Sequence, residues 1–255
     1  MLLAIDAGNT NIVFGIYKNE EWIAEWRYDT LPIKSQMDYE LFLRLQFLEA
    51  NLKLENVDAV VISSVVPQLN PMLTEFSKPL IDREPLFVEP LLFDQLPVRT
   101  QQPYQIGTDL LANAVAGHTH YQKNLIIIDF GTALTFTVVN TKGTILGVSI
   151  APGLKTAIKA LVGNTAQLPE VPLELPESKM GKSTTEAIQA GVLWGYVSMI
   201  EGMLDKIEKE LGYPSTVIAT GGLSSILYPL HSRFDVVDKH LTLEGLRLIH
   251  NLIRK

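Results

Sequence analysis

The residues best suited to chemistry form two matching short sets. Asp6-Ala7-Gly8-Asn9-Thr10 and Asp129-Phe130-Gly131-Thr132 each give a carboxylate, one intervening residue, a glycine and then a hydroxyl. An apolar run leads into each set and another leads out. Such a tip suits a metal-bound polyphosphate. The glycine lets backbone approach phosphate oxygens, and successive N–H groups with the Thr10 hydroxyl can donate to them. Asp6 can hold Mg²⁺, directly or through water. A single copy reads most simply as a polar hairpin with a Gly turn. Two copies on apolar strands favour two related halves with a nucleotide between them.

The elements that must position these tips follow from periodicity. Leu2 to Ile16 reads as a β-hairpin, and the alternation in Glu21-Trp22-Ile23-Ala24-Glu25-Trp26-Arg27-Tyr28 as a third strand, with Trp22 and Trp26 in core or interface positions. Between Met37 and Leu54, the spacing of Leu41, Leu45, Leu48 and Leu52 predicts an amphipathic helix with that stripe inward. Ala59-Val60-Val61-Ile62 is a buried strand ending in Ser63-Ser64, where open α/β sheets bind ligands; a serine turn before a helix near Pro67 fits as well. Glu89 to Pro103 reads as a crossover loop. A small-residue helix follows Gly107-Thr108-Asp109, so Asp109 lies near a helix start, where an acid also stabilises the helix by itself. His118 and His120 fall near the end of that helix and have no third ligand close by.

The order of strands then repeats. Leu125-Ile126-Ile127-Ile128 opens the second hairpin and Gly143 to Ile150 gives its third strand. Leu168 to Met180 reads as a mobile surface loop. Ser183 with Glu186 matches a capping box at the start of a helix running to about Leu211, in which Gly191 and Gly195 suggest close packing of another helix or a second subunit. Ser215 to Ala219 is the last buried strand. The paired glycines Gly221 and Gly222 after it can offer bare backbone to adenine or ribose, or simply make a tight turn. Leu241 to Ile253 closes as an amphipathic helix.

Bulk properties narrow the class. At 255 residues and 47% hydrophobic, the chain can bury a large core. A net charge of −7 argues against a nucleic-acid binder. The absence of cysteine excludes disulfides and thiolate chemistry and fits a cytoplasmic protein. No apolar run is long enough to span a bilayer, so no membrane partner is expected.

In their order, these pieces resemble the superfamily of sugar and acetate kinases, actin and the large heat-shock chaperones. Along nearly its full length the chain is similar to the type III pantothenate kinases. The likeness is carried by Asp6-Ala7-Gly8-Asn9-Thr10, Ile62-Ser63-Ser64-Val65-Val66-Pro67, Gly107-Thr108-Asp109, Asp129-Phe130-Gly131-Thr132-Ala133 and Ile150-Ala151-Pro152-Gly153. Further matches are Thr184-Thr185-Glu186-Ala187, Ala219-Thr220-Gly221-Gly222 and Leu241-Thr242-Leu243-Glu244-Gly245. The resemblance implies an α/β fold of two ribonuclease-H-like (actin-like ATPase) halves, each a mixed five-stranded sheet flanked by helices. The halves would be residues 1–118 and 119–255, with the last helix free to pack back on the first. It also implies ATP-dependent phosphorylation of pantothenate to 4'-phosphopantothenate, the first step toward coenzyme A, by a homodimer.

Carried over residue by residue, the resemblance assigns ATP and Mg²⁺ contacts to Asp6, Ala7, Gly8, Asn9, Thr10, Asn11, Ile12 and Val13. Thr132, Gly221 and Gly222 join the ATP site, and Asp129 becomes the ligand of a monovalent cation, K⁺ or NH₄⁺. Thr184 becomes a pantothenate contact. Gly107, Thr108, Asp109 and Leu110 form the substrate loop, with Asp109 as general base. No glycine-rich loop ends in Gly-Lys-Ser/Thr, which counts against a P-loop kinase, and a monovalent cation can stand in for the lysine of other kinases. One position departs from the family's Gly-x-Asp-Arg pattern: Leu110 stands where arginine is expected. It motivates a second reading, a non-catalytic or diverged member that binds nucleotide as an accessory factor or phosphorylates another small hydroxylated acid.

Overall fold

A computed structural model describes residues 1–222 and 226–254. It divides into two compact units, Met1–Thr119 with the closing helix, and His120–His240.

The first unit is built on β1 (Leu2–Ala7), β2 (Asn11–Lys18), β3 (Glu21–Asp29), β4 (Ala59–Ser64) and β5 (Leu86–Phe87), in the sheet order β3-β2-β1-β4-β5. β1 pairs antiparallel with β2 and parallel with β4. A strand held on both edges and covered on both faces must be apolar throughout, as Leu3, Ala4 and Ile5 are. Helices α1 (Gln36–Glu49), α2 (Asn70–Ile81) and α3 (Thr108–Tyr121) follow the strands.

The second unit repeats the plan. Strands β6 (Leu125–Phe130), β7 (Ala133–Val139), β8 (Ile145–Pro152), β9 (Thr216–Thr220) and β10 (Val236–Val237) lie in the order β10-β9-β6-β7-β8. β6 pairs antiparallel with β7 and parallel with β9, as β1 does with β2 and β4. Helices α4 (Leu154–Gly163), α5 (Thr184–Gln189) and α6 (Gly195–Leu211) belong to this unit, with one π-helical turn, Ala190–Trp194, joining α5 to α6. The expected pair of mixed five-stranded sheets flanked by helices is therefore present.

The closing helix α7 (Leu241–Ile253) packs in the first unit against β1 and β4. A Cβ at Gly245 would stand 1.9 Å from the Ala112 carbonyl oxygen of α3, so only glycine allows this approach. Thr242 donates its hydroxyl proton to Asn113 Oδ1 at 2.8 Å. Trp22 donates its indole N–H to Glu244 at 3.3 Å.

Several details differ from the sequence reading. Helix α1 exists, but it turns Tyr39, Leu43 and Phe47 inward, while Leu41, Leu45 and Leu48 remain 57%, 48% and 74% exposed. Both sets recur at helical spacing. The aromatic set wins because Tyr39 and Phe47 find ring partners in Tyr28 and Trp26 of β3. The capping box at Ser183 is half formed. Its hydroxyl accepts from Glu186 N, but the Glu186 carboxylate accepts from Lys182 N rather than from the cap. Among the described residues, and apart from the helix's own backbone, nothing lies within 4 Å of a Cβ built on Gly191 or Gly195. Residues 168–180 form no helix or strand, yet they are tied down: Gln189 donates to the Pro172 carbonyl at 3.0 Å and Trp194 to the Pro176 carbonyl at 2.9 Å.

Candidate active site

In the first unit, the chemistry gathers at the carboxyl ends of β1 and β4. Asp6 pairs in register with Ser63, and Ala7 with Ser64. Asp6, Gly8, Asn11 and Val13 are partly exposed, Asn9 and Thr10 exposed, and Ala7 and Ile12 are buried. The tip is closed by a bond from Gly8 N to the Asn11 carbonyl at 3.0 Å, and a Cβ on Gly8 would stand only 3.2 Å from that oxygen. Thr30, 1% exposed, braces the tip from the end of β3. Its hydroxyl donates to the Gly8 carbonyl at 2.6 Å, and its N–H donates to the Thr10 carbonyl at 2.9 Å. Asn11 adds a bond to Asp29 at 2.9 Å. Sequence reasoning missed Thr30. The only available signal was a lone hydroxyl at the end of a strand adjoining the hairpin.

The second unit carries the matching tip. Gly131 N donates to the Ala133 carbonyl at 3.1 Å, the counterpart of the Gly8 bond. Asp129 pairs in register with Thr220 as Asp6 does with Ser63. Thr132 is exposed, and its carbonyl accepts from Gly153 N at 2.9 Å and from the Thr156 hydroxyl at 2.7 Å. The start of α4 is thereby fastened to this tip. Gly221 has φ +90°, and a Cβ there would stand 2.8 Å from Asp129 Oδ1 and from both the N and O of Phe130. The bare side of Gly221 is thus filled by the neighbouring strand, whereas Gly222 is exposed. Leu223, Ser224 and Ser225 of that turn lie outside the described residues. Thr184 is exposed at the start of α5.

Asp109 occupies the first turn of α3 in the first unit. Its carboxylate folds back so that Oδ1 accepts from Leu110 N at 2.8 Å. The same oxygen lies 2.4 Å from where a Gly107 Cβ would be, so any side chain at 107 would push this carboxylate aside. Burial raises the Asp109 pKa above the ordinary aspartate value, with the backbone bond from Leu110 opposing it. A carboxylate so raised is a better proton acceptor than an exposed one. Thr108 shares a hydrogen bond of 2.9 Å with Ser63. Leu110 is buried, 8% exposed.

Among the described residues no three His, Asp or Glu side chains gather into a metal cage. That donor set still fits a magnesium ion that arrives on phosphates, since such an ion needs only one or two carboxylates from the protein. Asp6 at a partly exposed tip can supply one.

A family model described as type III pantothenate kinase matches residues 2–206. Type III pantothenate kinases from Anaeromyxobacter sp. (strain K) and Geobacter sulfurreducens are 41% and 39% identical to the chain. The first covers 98% of both chains and the second 100% of both. Among solved structures, a Baf family protein from Campylobacter jejuni is similar with a TM-score of 0.59 at 21% identity, over 98% of this chain and 97% of that one. MreB 5 of Spiroplasma citri, bound to AMPPNP, is similar with a TM-score of 0.52 at 13% identity, over 99% and 96%. The structures bear on the fold and the relatives on the family. With two hairpin tips of one design and a partly buried aspartate at a helix start, this chain belongs to the type III pantothenate kinase family.

Proposed function

We propose that the chain transfers the γ-phosphoryl group of ATP to the terminal hydroxyl of pantothenate. The observation that carries this reading is Asp109, a carboxylate made more basic by burial and presented from the first turn of α3 in a chain of this family. As the alcohol attacks phosphorus, its proton passes to Asp109, late in the step. Residues 6–13 receive the phosphates through tip N–H groups and the Thr10 hydroxyl, and Thr132 with the exposed Gly222 completes the ATP contacts, while Gly221, packed against Asp129 and Phe130, shapes the turn that carries Gly222. Gly107, Thr108, Leu110 and Thr184 hold pantothenate. Asp6 would hold Mg²⁺ and Asp129 a monovalent cation, K⁺ or NH₄⁺, and when bound both would supply positive charge beside the transferring phosphoryl group. Most of the acceleration then comes from alignment.

The names of the full-length relatives support turnover rather than the non-catalytic reading built on Leu110. An assay coupling ADP release to NADH oxidation, with ATP, Mg²⁺, K⁺ and pantothenate, tests the proposal. Turnover that depends on pantothenate is expected, and its absence in the intact protein would overturn it. We also propose a cytoplasmic location, where ATP is plentiful. We further propose a homodimer. β8 is a sheet edge, and Leu146, Val148 and Ile150 on it are 47%, 36% and 70% exposed, more apolar surface than an edge strand usually shows water. Sedimentation equilibrium checks it, and a monomer at micromolar concentration would refute it.

A further inference from the structure

We infer that Ser63 and Thr108 form a hydroxyl latch that positions Asp109 relative to the Asp6 tip, with Ser63 as the positioning residue. The inference rests on Asp109 being the base. The chain of contacts lies within the first unit. Ser63 is fully buried on β4 and pairs in register with Asp6 on β1. Its hydroxyl meets that of Thr108 at 2.9 Å, and Thr108 is the residue before Asp109. Val65, two residues past Ser63, adds a van der Waals neighbour beside Gly107: its Cγ1 is 3.8 Å from the place of a Gly107 Cβ.

The contacts of α7 hold α3 one turn further on, at Ala112 and Asn113, whereas the Ser63–Thr108 bond ties the helix start itself to β4. The chain reaches Thr108 through residues 96–107, which belong to none of the strands and helices above. β4 lies inside the sheet between β1 and β5, so the bond from Ser63 sets the start of α3 in register with β1. Ser63 is too buried to touch a substrate, so an effect of its removal on transfer must pass through Thr108. Removing one hydroxyl also leaves the other without its partner, which favours a shift of the helix start over a simple loss of the bond.

A positioned base contributes about 10²–10⁴-fold. Partial misplacement should therefore lower kcat roughly 10- to 100-fold in Ser63→Ala, with KM for ATP unchanged. Thr108→Val, which keeps the shape and loses the hydroxyl, should lower kcat to the same extent and, because Thr108 also belongs to the substrate loop, raise KM for pantothenate as well. The double variant should be no slower than either single one, because both break the same link. The acid limb of kcat/KM should move to lower pH in Ser63→Ala as the Asp109 carboxyl loses burial. The causes of its raised pKa are burial, opposed by backbone bonds, with no charged neighbour among them. A lowered Tm with unchanged kcat and pH limb would overturn the latch, as would multiplicative losses in the double variant. Asp109→Asn is the control. Full transfer there would remove the base reading itself. Abolished transfer there, with an active Ser63→Ala of normal pH profile, would sink only the latch. If Thr108→Val does not fold, Ser63→Ala alone still decides through kcat and the pH limb.

Discussion

Substituting Gly221 by alanine tests how the second tip is held. Two costs add. An L side chain at φ +90° pays for a left-handed backbone, roughly 1–2 kcal/mol. The new methyl would also lie 2.8 Å from Asp129 Oδ1 and from Phe130 N and O, of which two are backbone atoms that cannot rotate away. β9 and β6 must part by several tenths of an ångström, an overpacking cost of about 1–3 kcal/mol. The sum is about 2–5 kcal/mol. Gly212 is the internal comparison. It caps α6 at φ +74°, and none of the described residues comes within 4 Å of an added Cβ, so Gly212→Ala carries the backbone cost alone. At about 2–4 °C per kcal/mol, Tm should fall roughly 4–20 °C for Gly221→Ala and roughly 2–8 °C for Gly212→Ala. Thermal unfolding followed by circular dichroism, with urea midpoints at fixed temperature, measures both. Activity should fall only in Gly221→Ala, whose methyl displaces the Asp129 carboxylate. Equal losses of stability in the two variants would refute the contact argument.

Three further outcomes are expected. Asp109→Asn should nearly abolish transfer while leaving ATP binding intact, as measured by calorimetry. It should also raise Tm at neutral pH. The folded pKa of Asp109 is raised, so its ionisation opposes folding as pH climbs from the unfolded value through the folded one; the gain should fade below the ordinary aspartate pKa, where both states are protonated. The acid limb of kcat/KM for pantothenate should lie above the ordinary aspartate range, and a limb within that range would mean that a different group titrates. Leu110→Arg should lower KM for pantothenate by restoring the family's donor, with some loss of Tm because the position is buried; an unchanged or higher KM would show that the substrate is held another way.

The sheets were legible because their central strands are apolar on both faces, and the duplicated Asp–Gly tips fixed where the carboxyl ends lie. What escaped was the choice between competing patterns. α1 offers two stripes at the same period, and aliphatic spacing pointed to the exposed one; only the rings of β3 decide between them. β10 is two residues long and has no period to read. Residues 168–180 looked mobile because their composition is that of a loop, while their restraints come from Gln189 and Trp194. At the site, the aspartates were visible as types. Two of their supports were not: Thr30 and Thr156 are ordinary hydroxyls until strands and helices bring them to a tip, while Ser63 was visible as a polar strand end but its bond to Thr108 was not.

Because α7 lies under β1 and β4, the first unit is made from the beginning and the end of the chain, with the second inserted between. During synthesis, residues 120–240 have all their own strands available before Leu241 emerges, so they can close while their predecessor still lacks a helix. The aspartate on α3 would then wait for the last thirteen helical residues, Leu241–Ile253, before its supporting wall is finished. A ribosome that stops early would release a protein with one finished half and no steady base.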